Sequence, residues 1–423
     1  MEPTVGAVHA QAVGRSQRRR ARVKRQSRGC AGIVRRDAVK VLHVSPSIAQ
    51  SYGGPTHSLA GYAVASQRAG IEVSIAAPRC APADVESFLS RAGSVDLRLF
   101  SAFGANAFIT SPALIKWVRH AAKAYDIVHV HGLFNPTSSL SARLALASTT
   151  TVLRPFGTLS RYTFQHRRTA LKKAYITLLE RRTLRRAAAL HFTTERERSE
   201  ANWHGVDFSG RAYVIPPPSL APAGGTRARG NEAVGNRVVF LGRINPVKNL
   251  ECLLDAWAIV RRRVPTAQLE IAGDGEPVYV ATLKLHASRA GIADSVAFVG
   301  FVSGTEKSNL LASAGVVVLP SHHENFGIAV LEAVETGVPV IVSPEVHLAD
   351  FVREHGVGRI TQPDAHSLSD AIVDVLCDPR IQQSVRNRGA GIVAEHFSPT
   401  AIGELLSKMY REAIDRIPYG GRQ

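Results

Sequence analysis

From residue 39 onward, largely apolar runs recur at 39–44 (VKVLHV), 71–77 (IEVSIAA), 127–131 (IVHVH) and 189–193 (ALHFT), separated by stretches long enough for helices. Such runs predict strands covered on both faces, the pattern of a parallel sheet with crossover helices. Residues 216–235 (PPPSLAPAGGTRARGNEAVG) then carry no period of 2 or 3.6 and are rich in Pro, Gly and small polar residues, which predicts an interdomain linker. A second series follows at 238–241 (VVFL), 268–272 (QLEIA), 296–299 (VAFV), 316–319 (VVVL) and 338–342 (VPVIV). The expectation is an α/β protein of two doubly wound domains, 39–215 and 236–400, with a C-terminal helix in 401–423 crossing back to the first. Ligands in such sheets bind beyond the carboxyl ends of the strands, so the site is sought in the loops that follow them.

Charge changes this picture in two places. The 423 residues hold 52 Lys plus Arg against 34 Asp plus Glu, a formal net charge of +18. Residues 1–38 hold 10 cations against 2 acids, and residues 161–198 hold 11 against 3. The first stretch lacks apolar periodicity and reads as a disordered arm. The second places Leu171, Ala174, Tyr175, Leu178 and Leu179 at helical spacing, with Arg167, Arg168, Lys172, Lys173, Arg181 and Arg182 mostly elsewhere around the turn. That pattern suits either a helix packed on the domain core or one that meets an anionic membrane surface. Cys30, Cys80, Cys252 and Cys377 form no CxxC pair, so neither a disulfide framework nor a zinc ribbon is expected. No apolar window reaches spanning length, and no apolar segment follows the basic N-terminal run. A cytoplasmic protein, peripheral at the inner face of the membrane, is the expectation.

The chemistry lies in the second series. In FLGRINPVKNLECLLDAW, Gly242 and Arg243 follow a strand, and Lys248 stands just before a helix beginning near Leu250. A glycine that admits close approach, two cations and a helix N-terminus together suit a diphosphate. In PSHHENFGIAVLE, Glu324 lies in the loop after the strand at 316–319 and Glu332 in the second turn of a helix starting near Gly327. Carboxylates flanking a bound anion make sense if they contact hydroxyls, and a nucleotide sugar has that distribution of groups.

The order GRINPVK, GDG at 273–275 and E-x7-E from Glu324 to Glu332, with YGGP at 52–55 and HGLF at 131–134, resembles the retaining family 4 glycosyltransferases of the GT-B fold. The resemblance covers roughly residues 39–415. It implies two Rossmann-like domains facing a cleft, an N-terminal acceptor domain and a C-terminal domain for a UDP- or GDP-linked sugar. Arg243 and Lys248 would neutralise the donor diphosphate, and no D-x-D motif occurs in the chain, so a metal-independent enzyme without a cofactor is implied. Glu324 would bind hydroxyls of the transferred sugar and Glu332 those of the ribose. The backbone of Phe326, Gly327 and Ile328 would face sugar and phosphates. Gly273 and Gly275 would shape the nucleotide loop, Phe301 and Val302 would touch the base, and Gly53 and Gly54 would approach the donor phosphate. His131 would stand near the transferred sugar. The reaction implied is front-side attack, in which the departing diphosphate takes the acceptor proton.

Two departures stand out. Where relatives carry a PxG or PHG element this chain reads LRPFG, with Phe156 in place of a His or Arg, and Arg154 is the candidate to compensate. His322 and His323 adjoin Glu324, but no third ligand follows at zinc-like spacing, so no metal site is expected there. The acceptor expected is a glycan or a polyprenyl-diphosphate-linked glycan, as in cell-surface polysaccharide biosynthesis. A GT-B epimerase or phosphorylase is the alternative. A basic nucleic-acid binder is disfavoured, since no helix-turn-helix, RRM, KH or zinc-finger signature is present, and no nucleic acid is expected as a partner.

Overall fold

Two parallel sheets carry the chain. The computed structural model describes residues 38–104, 109–160, 162–163, 169–202, 205–220 and 236–416. The basic arm except Ala38, residues 221–235 of the linker, and Arg167 and Arg168 lie outside the described residues.

The first sheet is built from β1 (Lys40–Val44), β2 (Glu72–Pro78), β3 (Asp96–Phe100), β4 (Ile127–His131), β5 (Thr150–Arg154), β6 (Ala189–Phe192) and β7 (Ala212–Val214), in the order β3-β2-β1-β4-β5-β6-β7. Every pairing is parallel. The second sheet is built from β8 (Arg237–Leu241), β9 (Gln268–Ala272), β10 (Val296–Gly300), β11 (Val316–Leu319), β12 (Val340–Val342) and β13 (Gly358–Ile360), in the order β10-β9-β8-β11-β12-β13, again all parallel. In each sheet the order reverses beside the first strand, at β1/β4 and at β8/β11, which opens a crevice at the strand ends. The central strands β1, β4, β8 and β11 are almost wholly buried, which is why they read as apolar runs.

The last helix, Pro399–Asp415, belongs to the core of the first sheet. Its Ile402, Leu406, Met409, Tyr410 and Ala413 are buried with Leu59, Tyr62 and Ala63 of the helix Gly54–Arg68. The two helices touch at Gly403, where a Cβ would stand 2.3 Å from the Ala65 carbonyl oxygen. Tyr410 Oη reaches into the sheet and lies 2.8 Å from Nδ1 of His129. No helix among the described residues is long and apolar enough to cross a membrane.

Candidate active site

The loop after β8 and the loop after β9 are locked together by backbone. Ile244 N–H donates to the Asp274 carbonyl at 2.8 Å. Gly273 adopts φ +142°, and a Cβ there would meet the Gly242 carbonyl oxygen at 1.9 Å, so only glycine fits. Gly275 likewise leaves 2.4 Å between a would-be Cβ and the Ile244 carbonyl oxygen. The turn Pro246–Lys248 is capped by the Asn245 side chain, which accepts from Val247 N–H at 3.1 Å, and the helix Leu250–Arg263 follows.

Lys248 is ion-paired with Glu324, and the two side chains are 15% and 20% exposed. Burial alone pushes the Glu324 carboxyl up, but the Lys248 charge and hydrogen bond, the Phe326 backbone N–H and His323 together hold it below the usual carboxylate range. Glu324 is therefore ionised at neutral pH beside Gly327, which at φ +91° caps the helix Ile328–Glu335. The open N–H groups of that helix start and its dipole favour an anion there. Glu332 is joined to Lys307 of the helix Gly304–Ala312 at 2.5 Å. The Phe326 ring turns into the core, while Phe301 is half exposed after β10.

The N-terminal half brings its glycines to this place. Arg243 Nη2 donates to the carbonyls of Ser51 and Tyr52 at 3.3 and 3.2 Å and lies 3.0 Å from where a Gly53 Cβ would stand. A Cβ on Gly54 would be 3.7 Å from Cδ1 of Ile328. Gly53, Gly54, Arg243 and Ile328, assigned to one donor from distant sequence positions, are thus neighbours.

Two residues sit deeper than the sequence predicts. His131 is fully buried; its Nε2 is 2.8 Å from His43 Nδ1 and its ring stacks on His129 at 4.4 Å. Burial, then the positive field of His43 and Arg154, holds His131 well below the usual histidine range, so it is neutral. Arg154 is 1% exposed, with its guanidinium 4.4 Å from the Tyr62 ring and 4.0 Å from the Phe156 ring. Neither an acceptor-facing surface for Arg154 nor an exposed face for His131 is present; both belong to a buried layer under Phe156.

Sequence reasoning missed the residues that join the halves. Asn325 Nδ2 donates to Thr193 Oγ1 at 2.9 Å, and its Oδ1 packs 2.5 Å from where a Cβ on Gly157 would stand. Glu197 receives the backbone N–H groups of Gly157 and Thr193. His323 has no third ligand by local spacing, yet the fold brings Glu200 and His347 to it. The one available signal was ENFG itself, since Asn325 stands between two residues already assigned. The others are non-local.

Known proteins resemble this arrangement. A family model described as glycosyl transferases group 1 matches residues 227–391, and one described as glycosyl transferase 4-like domain matches residues 53–218. The alpha-D-kanosaminyltransferase of Streptomyces kanamyceticus is 31% identical over 267 residues, 60% of this chain and 68% of that one. A GDP-mannose-dependent alpha-(1-6)-phosphatidylinositol monomannoside mannosyltransferase of Mycolicibacterium smegmatis is 32% identical over 191 residues, 42% of this chain and 48% of its own length. Several other curated relatives are likewise matched over about half their length. Among solved structures, HepE of Anabaena in complex with UDP and glucose superposes with a TM-score of 0.67 at 19% identity, covering 88% of this chain and 98% of that one. The chain belongs to the group 1 glycosyltransferases of family 4 type, with the GT-B fold.

Proposed function

We propose that the chain moves a hexose from a nucleotide-diphosphate sugar, UDP- or GDP-linked, to a glycan or polyprenyl-diphosphate-linked acceptor, with retention, in cell-surface polysaccharide biosynthesis. The observation that carries this reading is the meeting of Arg243, Lys248 and the start of the helix Ile328–Glu335 with Gly53 and Gly54 of the other half. A departing diphosphate develops charge where these cations and N–H groups converge, so its neutralisation needs no metal ion at that place. In the step proposed, the bond from the anomeric carbon to the phosphate oxygen breaks and the acceptor oxygen bonds to that carbon on the same face. The acceptor proton passes to the departing phosphate oxygen. Glu324 holds sugar hydroxyls, Glu332 holds the ribose, and positioning supplies much of the remaining acceleration.

HepE was solved with UDP and glucose and the mycobacterial relative is named for GDP-mannose, which supports screening both bases. The test is incubation of the purified chain with UDP- and GDP-sugars and candidate acceptors, with the product's anomeric configuration read by NMR. A new glycoside with the donor's configuration is expected. An inverted product removes the retaining mechanism, and an epimer or sugar phosphate alone would replace transfer by the other GT-B chemistries.

The acceptor side of the reading includes a membrane surface. In the segment Thr169–Tyr175, Ile176–Glu180 and Arg181–Arg186, Leu171 is 54% and Leu178 73% exposed, with Lys173, Arg181, Arg182 and Arg185 exposed around them. Leucines beside cations suit an anionic bilayer, which attracts each surface cation by about 1 kcal/mol. Salt-sensitive co-sedimentation with phosphatidylglycerol vesicles is expected; equal co-sedimentation of a variant with Lys173, Arg181, Arg182 and Arg185 changed to Glu would refute it.

A further inference from the structure

Outside the donor residues, and among the described residues, the two halves share one more group of ligating side chains. Glu200 lies on the helix Glu195–Ala201 of the N-terminal half, His323 in the loop after β11 and His347 beyond β12. One ligand atom from each lies within 4.8 Å of the other two.

The details are those of ligands already aimed. The His347 side chain is fully buried; its Nδ1 is hydrogen-bonded to Thr194 Oγ1 at 3.0 Å, and its Nε2 has no hydrogen-bond partner. Glu200 Oε1 accepts from Arg196 Nε at 3.0 Å, while its buried Oε2 has no hydrogen-bond partner. With the proton of His347 on Nδ1, Nε2 turns a lone pair toward Glu200 Oε1, 3.6 Å away. The unpartnered Nε2 of His347 and Oε2 of Glu200 are two buried polar atoms that one bound cation would satisfy. His323 completes the group, stacked on Tyr162 at 4.7 Å and edge-on to His347 at 5.4 Å.

Two imidazoles and a carboxylate form the His2Glu donor set of zinc, with bonds of about 2.0–2.2 Å and so ligand atoms about 3.3–3.5 Å apart in a tetrahedron. His347 Nε2 stands 3.6 Å from Glu200 Oε1, which brings the carboxylate to coordinating range, and a ring nitrogen of His323 lies within 4.8 Å of a ligand atom of each. Thr194 on Nδ1 of His347 and Arg196 on Oε1 of Glu200 are the outer partners that fix ligand orientation and leave Nε2 and Oε2 for the ion. The Arg196 charge is itself offset by Glu345 and by the Pro344 carbonyl at 2.6 Å.

We propose that Glu200, His323 and His347 bind a divalent transition metal, zinc by donor set, which pins the helix Glu195–Ala201 to the loops after β11 and β12. The ion touches no diphosphate group assigned above. It acts on Glu324 through the backbone: His323 precedes Glu324 in the chain, and His347 N–H donates to the Glu324 carbonyl at 3.0 Å. The metal therefore sets the closed relation of the halves and the placement of the sugar-binding loop. The other histidine group, His43, His129 and His131, is a poorer site, because the buried Arg154 cation acts on all three and His43 and His131 already share a 2.8 Å hydrogen bond.

The test uses the untagged full chain, stripped with a chelator, then titrated with Zn2+ by calorimetry and with Co2+ by visible absorption. One Zn2+ per chain, visible Co2+ bands and a rise in melting temperature on Zn2+ addition are expected. Glu200→Gln and His323→Ala should each weaken Zn2+ binding at least about 100-fold, and Thr194→Val roughly 10–100-fold, with circular dichroism unchanged. Absence of stoichiometric Zn2+ binding, which leaves a plain His347–Glu200 contact, overturns the proposal. Binding undiminished in both Glu200→Gln and His323→Ala also overturns it, by placing the ion elsewhere. None of these readouts involves sugar transfer, so they stand or fall apart from the reaction proposed above.

Discussion

Lys248 and Glu324 form an ion pair that ties the loop after β8 to the loop after β11, joining the cation assigned to the diphosphate with the carboxylate assigned to the sugar. Lys248 fixes the charge of Glu324. Burial pushes Glu324 up and Lys248 leads the groups pulling it down. Lys248→Met is therefore predicted to raise the Glu324 pKa and to cut kcat/KM by roughly 10²–10³. The depressed carboxyl of the native chain stays ionised until the pH falls below the ordinary carboxylate range, so its acid limb lies at low pH. An unmoved acid limb in the Lys248→Met pH–rate profile would show that the pair does not control Glu324.

Arg243 reaches Ser51 and Tyr52 with the same guanidinium that is assigned to the phosphates. Arg243→Ala is predicted to weaken nucleotide binding through lost charge, while circular dichroism stays native. A nucleoside diphosphate at 100 times its Kd adds about 2.7 kcal/mol of stability. The stabilisation of the native chain by UDP or GDP should shrink in Arg243→Ala under the same ligand concentration. Equal thermal shifts for both chains would contradict the assignment.

Acid should loosen the first sheet early. Burial and the nearby Arg154 charge lower the His43 pKa to about 3, and burial with neighbouring positive groups holds His129, His131 and His191 well below the usual range. The unfolded chain binds protons at these positions once the pH falls below about 6.5, and the folded chain does not until much lower pH. Stability is therefore lost as pH falls from about 6.5 toward 3, by up to about 1.4 kcal/mol per pH unit for each histidine. Urea midpoints should change little from pH 7.5 to about 6.5 and decline from there to pH 5; a series flat throughout would sink the idea.

Gly403 lets the last helix lie against Gly54–Arg68 with no room for a methyl group. Gly403→Ala is predicted to cost about 1–3 kcal/mol by overpacking. Chemical denaturation is the check, and a change within about 0.5 kcal/mol would mean that the helices part without penalty.

The central strands announced themselves because both faces are buried. The strands β3, β5, β7 and β13 did not. β3 (DLRLF) is an edge strand with alternating charges, β5 (TTVLR) opens on two threonines and closes on a buried arginine, and β7 and β13 have three residues each. In the basic segment the period of 3.6 was read across Ile176–Glu180, which is a π-turn. The extra residue shifts the register, so Leu171 and Leu178 face solvent while Tyr175 and Leu179 are half-buried. The donor side was legible since Arg243, Lys248, Glu324 and Gly327 lie close to their own strand ends. Asn325 with Thr193, Lys307 with Glu332, and Glu200 with His347 were not, because each pair forms only when separate elements of the chain meet.

The hydrogen bond from the last helix to the first sheet carries a cost in time. His129 and Tyr410 are 281 positions apart, so a ribosome adding about 5–20 residues per second needs roughly 15–55 s to deliver the second after the first. Over that interval the sheet around β1 and β4 holds an uncovered flank, with Leu59, Tyr62 and Ala63 waiting for Ile402, Leu406 and Met409. Chains ended before Pro399 are expected to keep that flank open, to be cut readily by protease within the first half and to bind chaperones that hold apolar surface. Synthesis from the ribosome is thus the stage at which this enzyme is most exposed to aggregation, and the last helix is the piece that ends the exposure.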